Sequence, residues 1–216
     1  MKIIIVHNNY PISSLNNEAP LTVYTLPDTA ILKDGKPFFI PDFAPPCCVQ
    51  GHLVVKICRL GRSISERFAH RYYDAITVGT TFSAEELRET LAASHLPWDI
   101  AVGFDGAASI GKLIPLYANL EQHDSENEIG VNTNFTPLPD DIHFAIHNND
   151  IPILKGVSGN MRNHIDKIIA TISKHYTLRQ GDLIFTGSPV SPQQVHINDK
   201  ITGYLGEEQV LRFNVK

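Results

Sequence analysis

Apolar positions in this chain fall in short β-branched runs, and only one stretch carries a clean helical stripe. Residues 2–6 (Lys-Ile-Ile-Ile-Val) predict a buried strand. Residues 22–25 and 37–40 predict short strands flanking the turn signal Lys33-Asp-Gly-Lys36. The rigid connector 41–46 leads into 49–57, where Leu53, Val54, Val55 and Ile57 predict a strand buried on both faces. Residues 76–80 predict its neighbour. Ile165, Ile168, Ile169 and Ile172 share one helical face, so a helix is expected within 160–175. Ser65 is a candidate cap for a helix through Tyr73. Ser83-Ala-Glu-Glu86 matches a capping box and predicts a helix that ends before Pro97. Residues 182–186 predict a strand closing on the turn Gly187-Ser-Pro189, and further short strands are expected across 195–215. Residues 7–20 read as a loop, and the polar stretch 119–150 as exposed strands or a long loop. Strands dominate without regular βα alternation. The expected class is a β-rich α+β fold, with residues 1–216 forming one domain without a linker.

Composition narrows the partners. The 216 residues are 43% hydrophobic and 19% charged, with net charge −5 and three cysteines. Lys and Arg are scattered and the balance is mildly acidic, so neither nucleic acid nor a membrane is the expected partner. No stretch approaches the roughly 20 apolar residues of a membrane span. The N-terminus lacks the long apolar core of a signal peptide. An odd number of cysteines (Cys47, Cys48, Cys58) fits a reducing compartment. A cytoplasmic protein is expected.

Common catalytic signatures are missing. Neither G-x-G-x-x-G nor a P-loop occurs, Ser188 lacks the second glycine of a nucleophile elbow, and no C-x-x-C suggests structural zinc. One constellation stands out. If 48–55 is a strand, Cys48, Gln50 and His52 point to one face. Cys48 with His52 would suit a soft or borderline metal such as Zn²⁺ or Ni²⁺. The alternative is that Cys48 packs while Gln50 and His52 hydrogen-bond in or beside a pocket.

Two segments carry a wider likeness. Arg59-Leu-Gly-Arg-Ser-Ile-Ser65 and Gly181-Asp-Leu-Ile-Phe-Thr-Gly-Ser-Pro189 resemble signature segments of the fumarylacetoacetate hydrolase family, which includes 2-hydroxyhepta-2,4-diene-1,7-dioate isomerase-like proteins. Trp98, Asp105, Gly61 and Gly79 also fit its pattern. The resemblance spans most of the chain. It implies a mixed β-roll with a few peripheral helices, and a homodimer. It also implies a Mg²⁺ or Mn²⁺ site for hydrolysis, decarboxylation or isomerisation of keto-acids or diketones. Such a hard cation needs carboxylate oxygens to act as a Lewis acid.

Those oxygens are what this chain departs from. Gln50 and His52 stand where the family has a Glu-x-Glu, and Thr81 stands where it has an aspartate. Val102 replaces a lysine, and Glu85-Glu86 replace Arg-Asp. Asn9-Tyr10 match the start of the family's acid/base lid, but Ser13 and Asn16 replace its His and Glu. Glu18 is a substitute lid carboxylate at most. The resemblance thus implies a pocket of Tyr10, Gln50, His52, Thr81, Val102, Asp105, Thr186, Gly187 and Ser188, with no cofactor expected. Three readings follow. The leading one is a catalytically impaired member that binds a small carboxylic acid or serves as a partner subunit. The second is an enzyme using a different metal or none, with His52 as general base titrating near neutral pH. The third keeps a conventional metal site, drawn from Asp74, Glu85 and Glu86.

Overall fold

The computed structural model describes residues 1–11, 20–32, 36–116 and 141–216. Two sheets make up its body. The larger contains β1 (Ile3–His7), β2 (Thr22–Leu26), β3 (Cys47–Ile57), β4 (Tyr73–Ala84), β5 (Ala108–Ile110), β6 (Ile114–Pro115), β9 (Leu183–Phe185) and β10 (Gln193–Gln194). The smaller contains β7 (His143–Asn148), β8 (Ile151–Val157), β11 (Lys200–Leu205) and β12 (Glu208–Asn214), in the order β12-β11-β7-β8. The larger runs β2-β1-β9-β3-β4-β5, with β10 added to β3 and β6 to β4. β1 and β9 pair in parallel, while β3 and β4 are antiparallel, so the sheet is mixed. This is the β-rich α+β architecture expected.

β3 and β4 are the spine, paired from Cys47↔Ala84 to Ile57↔Tyr73. Both are long because β-branched and aromatic residues recur along them. Side chains alternate across β3, which gives it two different faces. Val49, Leu53, Val55 and Ile57 join the core shared with the smaller sheet, including Ile146 and Leu154. Gly51 lies on that face because a Cβ there would stand 2.4 Å from Ile146 Cγ1. The opposite face carries Cys48, Gln50, His52 and Val54. Val54 packs with Ile3, Ile5, Val102 and Phe185. The candidate site lies on this second face.

Two helices flank the sheets, α1 (Glu85–Ala93) and α2 (Ile165–Ile172). α2 buries all four isoleucines of its stripe. Three local expectations are corrected. Residues Glu66–Tyr72 form a 3-10 helix, and Ser65 makes no side-chain cap. The capping box does not form either. β4 continues through Ser83, Ala84 becomes the cap residue, and Ser83 Oγ hydrogen-bonds Glu85 Oε2 at 2.9 Å. Residues 37–40 contribute one isolated bridge, Phe38↔Val215, and no strand. Ser13, Asn16, Glu18 and most of 119–150 lie outside the described residues.

Candidate functional site

A cleft of about 380 Å³ opens on the second face of β3–β4. Gln50 and Thr81, directly paired in register, form part of its floor. Val23, Tyr24, Trp98 and Val102 supply an apolar wall. Tyr24 and Trp98 meet edge to face with centroids 5.2 Å apart. The polar wall is His7 at the end of β1, Ser83 at the end of β4, and Glu85 and Arg88 on the first turns of α1. Ser191 and Pro192 close the rim.

The rim is tied to the floor. Gln50 Nε2 donates to Val190 O at 3.3 Å, and β10 pairs with β3 at Val49 and Cys48. Upstream, Gly187 has φ of +103°, the left-handed region, and a Cβ there would stand 2.9 Å from Asn9 Cβ. Glycine is required for both reasons. Thr186 Oγ1 donates to Leu53 O, and Ser188 Oγ folds back to Val190 O. These residues of the signature segment thus hold the loop in place, and its continuation reaches the cleft.

Among the described residues, charge in the cleft comes from one ordered pair. Arg88 Nε donates to Glu85 Oε1 at 3.0 Å, and Arg88 Nη2 closes on the same oxygen. Burial works to raise the Glu85 pKa, but bonds from Arg88 and Ser83 outweigh it, so the net direction is down. Glu85 is an anion at neutral pH. Burial lowers the His7 pKa, Arg88 lowers it further, and Glu85 opposes them. Burial also drives the Tyr24 hydroxyl far above its usual range. At neutral pH His7 and Tyr24 are therefore uncharged.

His52 is placed differently from the expectation. It is 2% exposed and lies behind Thr81, with Nε2 2.9 Å from Thr81 Oγ1. Its ring meets Phe185 edge to face, and Nδ1 has no partner of good hydrogen-bond geometry among the described residues. Burial, helped by His7, pushes its pKa down to about 3 against a weaker pull from the Gly187 backbone. A neutral imidazole with so low a pKa is a weak base, and it does not line the cleft. The expectation of a base titrating near pH 7 is corrected accordingly.

Other predicted positions separate as well. Asp105 is exposed and does not line the cleft. Tyr10 lines a different cleft of about 410 Å³, beside His143, Phe144 and Lys155. Burial raises the pKa of its hydroxyl against a smaller pull from Thr186. Cys48 and His52 sit four residues apart on one continuous strand, roughly 13 Å at about 3.3 Å per residue, too far to share a metal. Burial and the nearby carboxylates of Glu85 and Glu89 raise the Cys48 pKa, which disfavours the thiolate a metal requires. Asp74 pairs with Lys56 at 3.3 Å. Glu85 is engaged by Arg88 and Ser83 as described.

The donor set does not fit a hard divalent cation. Gln50 offers one neutral oxygen, Thr81 a hydroxyl already bonded to His52, and His52 a buried nitrogen. None of the three is an anion, whereas Mg²⁺ and Mn²⁺ sites are built on carboxylates. Among the described residues, no group of three or more His, Cys, Asp or Glu side chains converges as a metal site would need.

Sequence reasoning missed His7, Tyr24, Ser83 and Arg88. They reach the cleft from separate strands and from the first turns of α1, so no local motif announces them. The available signal was Glu85 and Arg88 at i, i+3, a spacing that brings opposite charges together on a helix.

The structure is a mixed β fold with a cleft over its longest antiparallel pair, and the chain is similar to known proteins of that kind. Residues 5–213 match the "Fumarylacetoacetate (FAA) hydrolase C-terminal" family, and the chain belongs to it. It is 26% identical over 219 residues to "Oxaloacetate tautomerase FAHD1, mitochondrial" of Arabidopsis thaliana, covering 100% of this chain and 91% of that protein. Identity to the Homo sapiens protein of the same name is 23%, over 83% of this chain and 73% of that one. In fold it resembles fumarylpyruvate hydrolase from Pseudomonas aeruginosa in complex with Mn²⁺ and pyruvate. There the TM-score is 0.83 at 19% identity, covering 100% of this chain and 89% of the other. The 2-hydroxyhepta-2,4-diene-1,7-dioate isomerase from Mycobacterium marinum gives 0.77 at 23% identity, covering 99% and 73%. Among the described residues no helix is long and apolar enough to cross a membrane.

Proposed function

We propose that this protein binds a small organic acid in the β3–β4 cleft without a hard divalent cation, and does not run the metal-dependent reaction associated with its fold. One observation carries the reading. The cleft is open and polar on one side, yet Gln50, His52 and Thr81 supply no anionic oxygen, and two of the three are bonded to each other. Removing carboxylates removes most of the attraction for Mg²⁺, while the open volume keeps room for an acid of modest size. Assembly with a second copy, or with a metal-binding relative, belongs to the same reading and is measured by light scattering of the purified protein.

The test is thermal stability with Mg²⁺, Mn²⁺, Zn²⁺ and Ni²⁺, each with and without oxalate. A ligand at a hundred times its dissociation constant stabilises the fold by about 2.7 kcal/mol. For a protein of this size that is a shift of roughly 5–10 °C. Oxalate is expected to stabilise in the presence of EDTA, and Mg²⁺ or Mn²⁺ to add nothing. Stabilisation by Mn²⁺ that grows with oxalate overturns the reading.

A second reading has an observation of its own. Glu85 and His7, two groups able to exchange protons, face the same cleft. They favour proton transfer on a keto-acid without a metal, of the keto–enol kind that the tautomerase relatives are named for. Decay of enol-oxaloacetate absorbance in EDTA tests it. The expected result is acceleration above the buffer rate that is lost in Glu85→Gln. No acceleration leaves binding alone.

A further inference from the structure

Among the described residues, the one guanidinium lining the cleft has donor capacity that the protein does not use. Arg88 is held by Nε and Nη2 on one oxygen of Glu85, and the other oxygen of Glu85 is held by Ser83. Arg88 Nη1 has no partner among the described residues. The side chain is 32% exposed, so it is positioned by the protein and still open to the cleft. A guanidinium fixed through one edge presents its remaining N–H groups in a set plane, which suits a carboxylate. The same cleft is also lined by the crossed Tyr24–Trp98 pair, with Val23 and Val102. A purely ionic ligand would gain nothing from that apolar lining. A ligand with a carboxylate at one end and a flat apolar body would satisfy both features of a 380 Å³ cleft.

We infer that Arg88 is the carboxylate anchor of this cleft, and that its ligand is a small monocarboxylic acid with a flat, unsaturated or aromatic body packed against Tyr24 and Trp98. The inference rests on the proposed acid-binding function and names the residue and ligand class that carry it. Glu85 is the positioning residue. Its carboxylate orients Arg88 and also competes with the incoming one, so removing its charge relieves competition while Gln still accepts from the guanidinium.

Trp98 is the sole tryptophan of the chain and lies in the cleft wall, so its fluorescence reports occupancy directly. The experiment titrates phenylacetate, its neutral amide phenylacetamide, and acetate against the intact protein in EDTA, following emission on excitation at a wavelength the probes do not absorb. Expected is saturable binding of phenylacetate, with the amide and acetate each weaker. In Arg88→Gln, affinity for phenylacetate should fall by about tenfold or more, the usual consequence of losing a charge-assisted hydrogen bond. Arg88→Lys should recover part of it. Glu85→Gln should bind as tightly as the native protein or more so.

Circular dichroism and melting curves confirm that each variant is folded. If Arg88→Gln is not, Glu85→Gln and Arg88→Lys carry the test. A merely structural ion pair predicts that Glu85→Gln weakens binding as much as Arg88→Gln, which would overturn the inference. Native protein that is stabilised by oxalate but does not respond to phenylacetate, or an Arg88→Gln variant with unchanged affinity, overturns it while leaving acid binding intact. Native protein that responds to neither acid overturns both.

Discussion

His52 is the residue on which a catalytic and a structural account of this chain part company. Its imidazole stands behind Thr81 with Nε2 bonded to the Thr81 hydroxyl. In the folded state its pKa is held at about 3, against 6.5 in an unfolded chain. The folded protein therefore binds fewer protons than the unfolded one between those values. Stability contributed by the neutral ring is fully present above pH 6.5 and is lost as pH falls towards 3. In the His52→Gln variant, the amide would still reach Thr81 and would not titrate. Urea midpoints for native protein and His52→Gln should thus run parallel from pH 8 to about 6.5 and then change differently as pH is lowered further, the native protein losing more. Equal slopes in acid would mean that the ring is hydrated and protonates freely. The family resemblance pointed to positions 50, 52 and 81 as the places to look for carboxylates, and the chain has Gln, His and Thr there. It did not show that two of the replacements would hydrogen-bond to one another, because that depends on the β3–β4 register.

At the scale of elements, the strand pair that builds the floor depends on how closely the two sheets approach. Gly51 faces β7 and β8, and an added methyl would sit 2.4 Å from Ile146 Cγ1 and 3.1 Å from Leu154 Cδ1. Both neighbours are branched side chains in a packed core, with little room to withdraw. Gly51→Ala should cost about 1–3 kcal/mol, the usual penalty of overpacking. That corresponds to a fall in melting temperature of roughly 2–12 °C for this size. Scanning calorimetry checks it, and Gly51→Ala combined with Ile146→Val should recover part of the loss. Elements with strong periodicity were legible from the chain: the β3 run, the isoleucine stripe of α2 and the strand before Gly187. The junction of β4 and α1 was not. Ser83-Ala-Glu-Glu86 satisfies the capping-box pattern, but pairing with β3 carries β4 past Ser83, and tertiary pairing prevailed over the local signal. That extension puts Ser83 and α1's first turns at the cleft, and with them Glu85 and Arg88.

For the whole molecule, the question is whether the fold still presents the geometry of a cation site from which only the charges have been removed. The register answers in part. Gln50 and Thr81 are paired across β3 and β4, and the 2.9 Å contact between His52 and Thr81 brings the third side chain to the same place. Gln50→Glu, His52→Glu and Thr81→Asp would therefore place three carboxylates near one another. Without a cation, three like charges in a largely buried site repel one another, and burial disfavours each of them. The triple variant should melt several degrees below the native protein in EDTA. A hard cation would neutralise that repulsion and bind only the folded state, so Mn²⁺ should raise its melting temperature in a concentration-dependent way, and Mg²⁺ more weakly. Native protein should show no such rise. An unresponsive triple variant would mean that the backbone here does not hold three carboxylates around a cation. A Mn²⁺-dependent rise in the native protein itself would mean that oxygens beyond Gln50 and Thr81 complete a working site. The outcomes separate because β3 and β4 position the side chains at 50, 52 and 81, while the residue identities there set the charge.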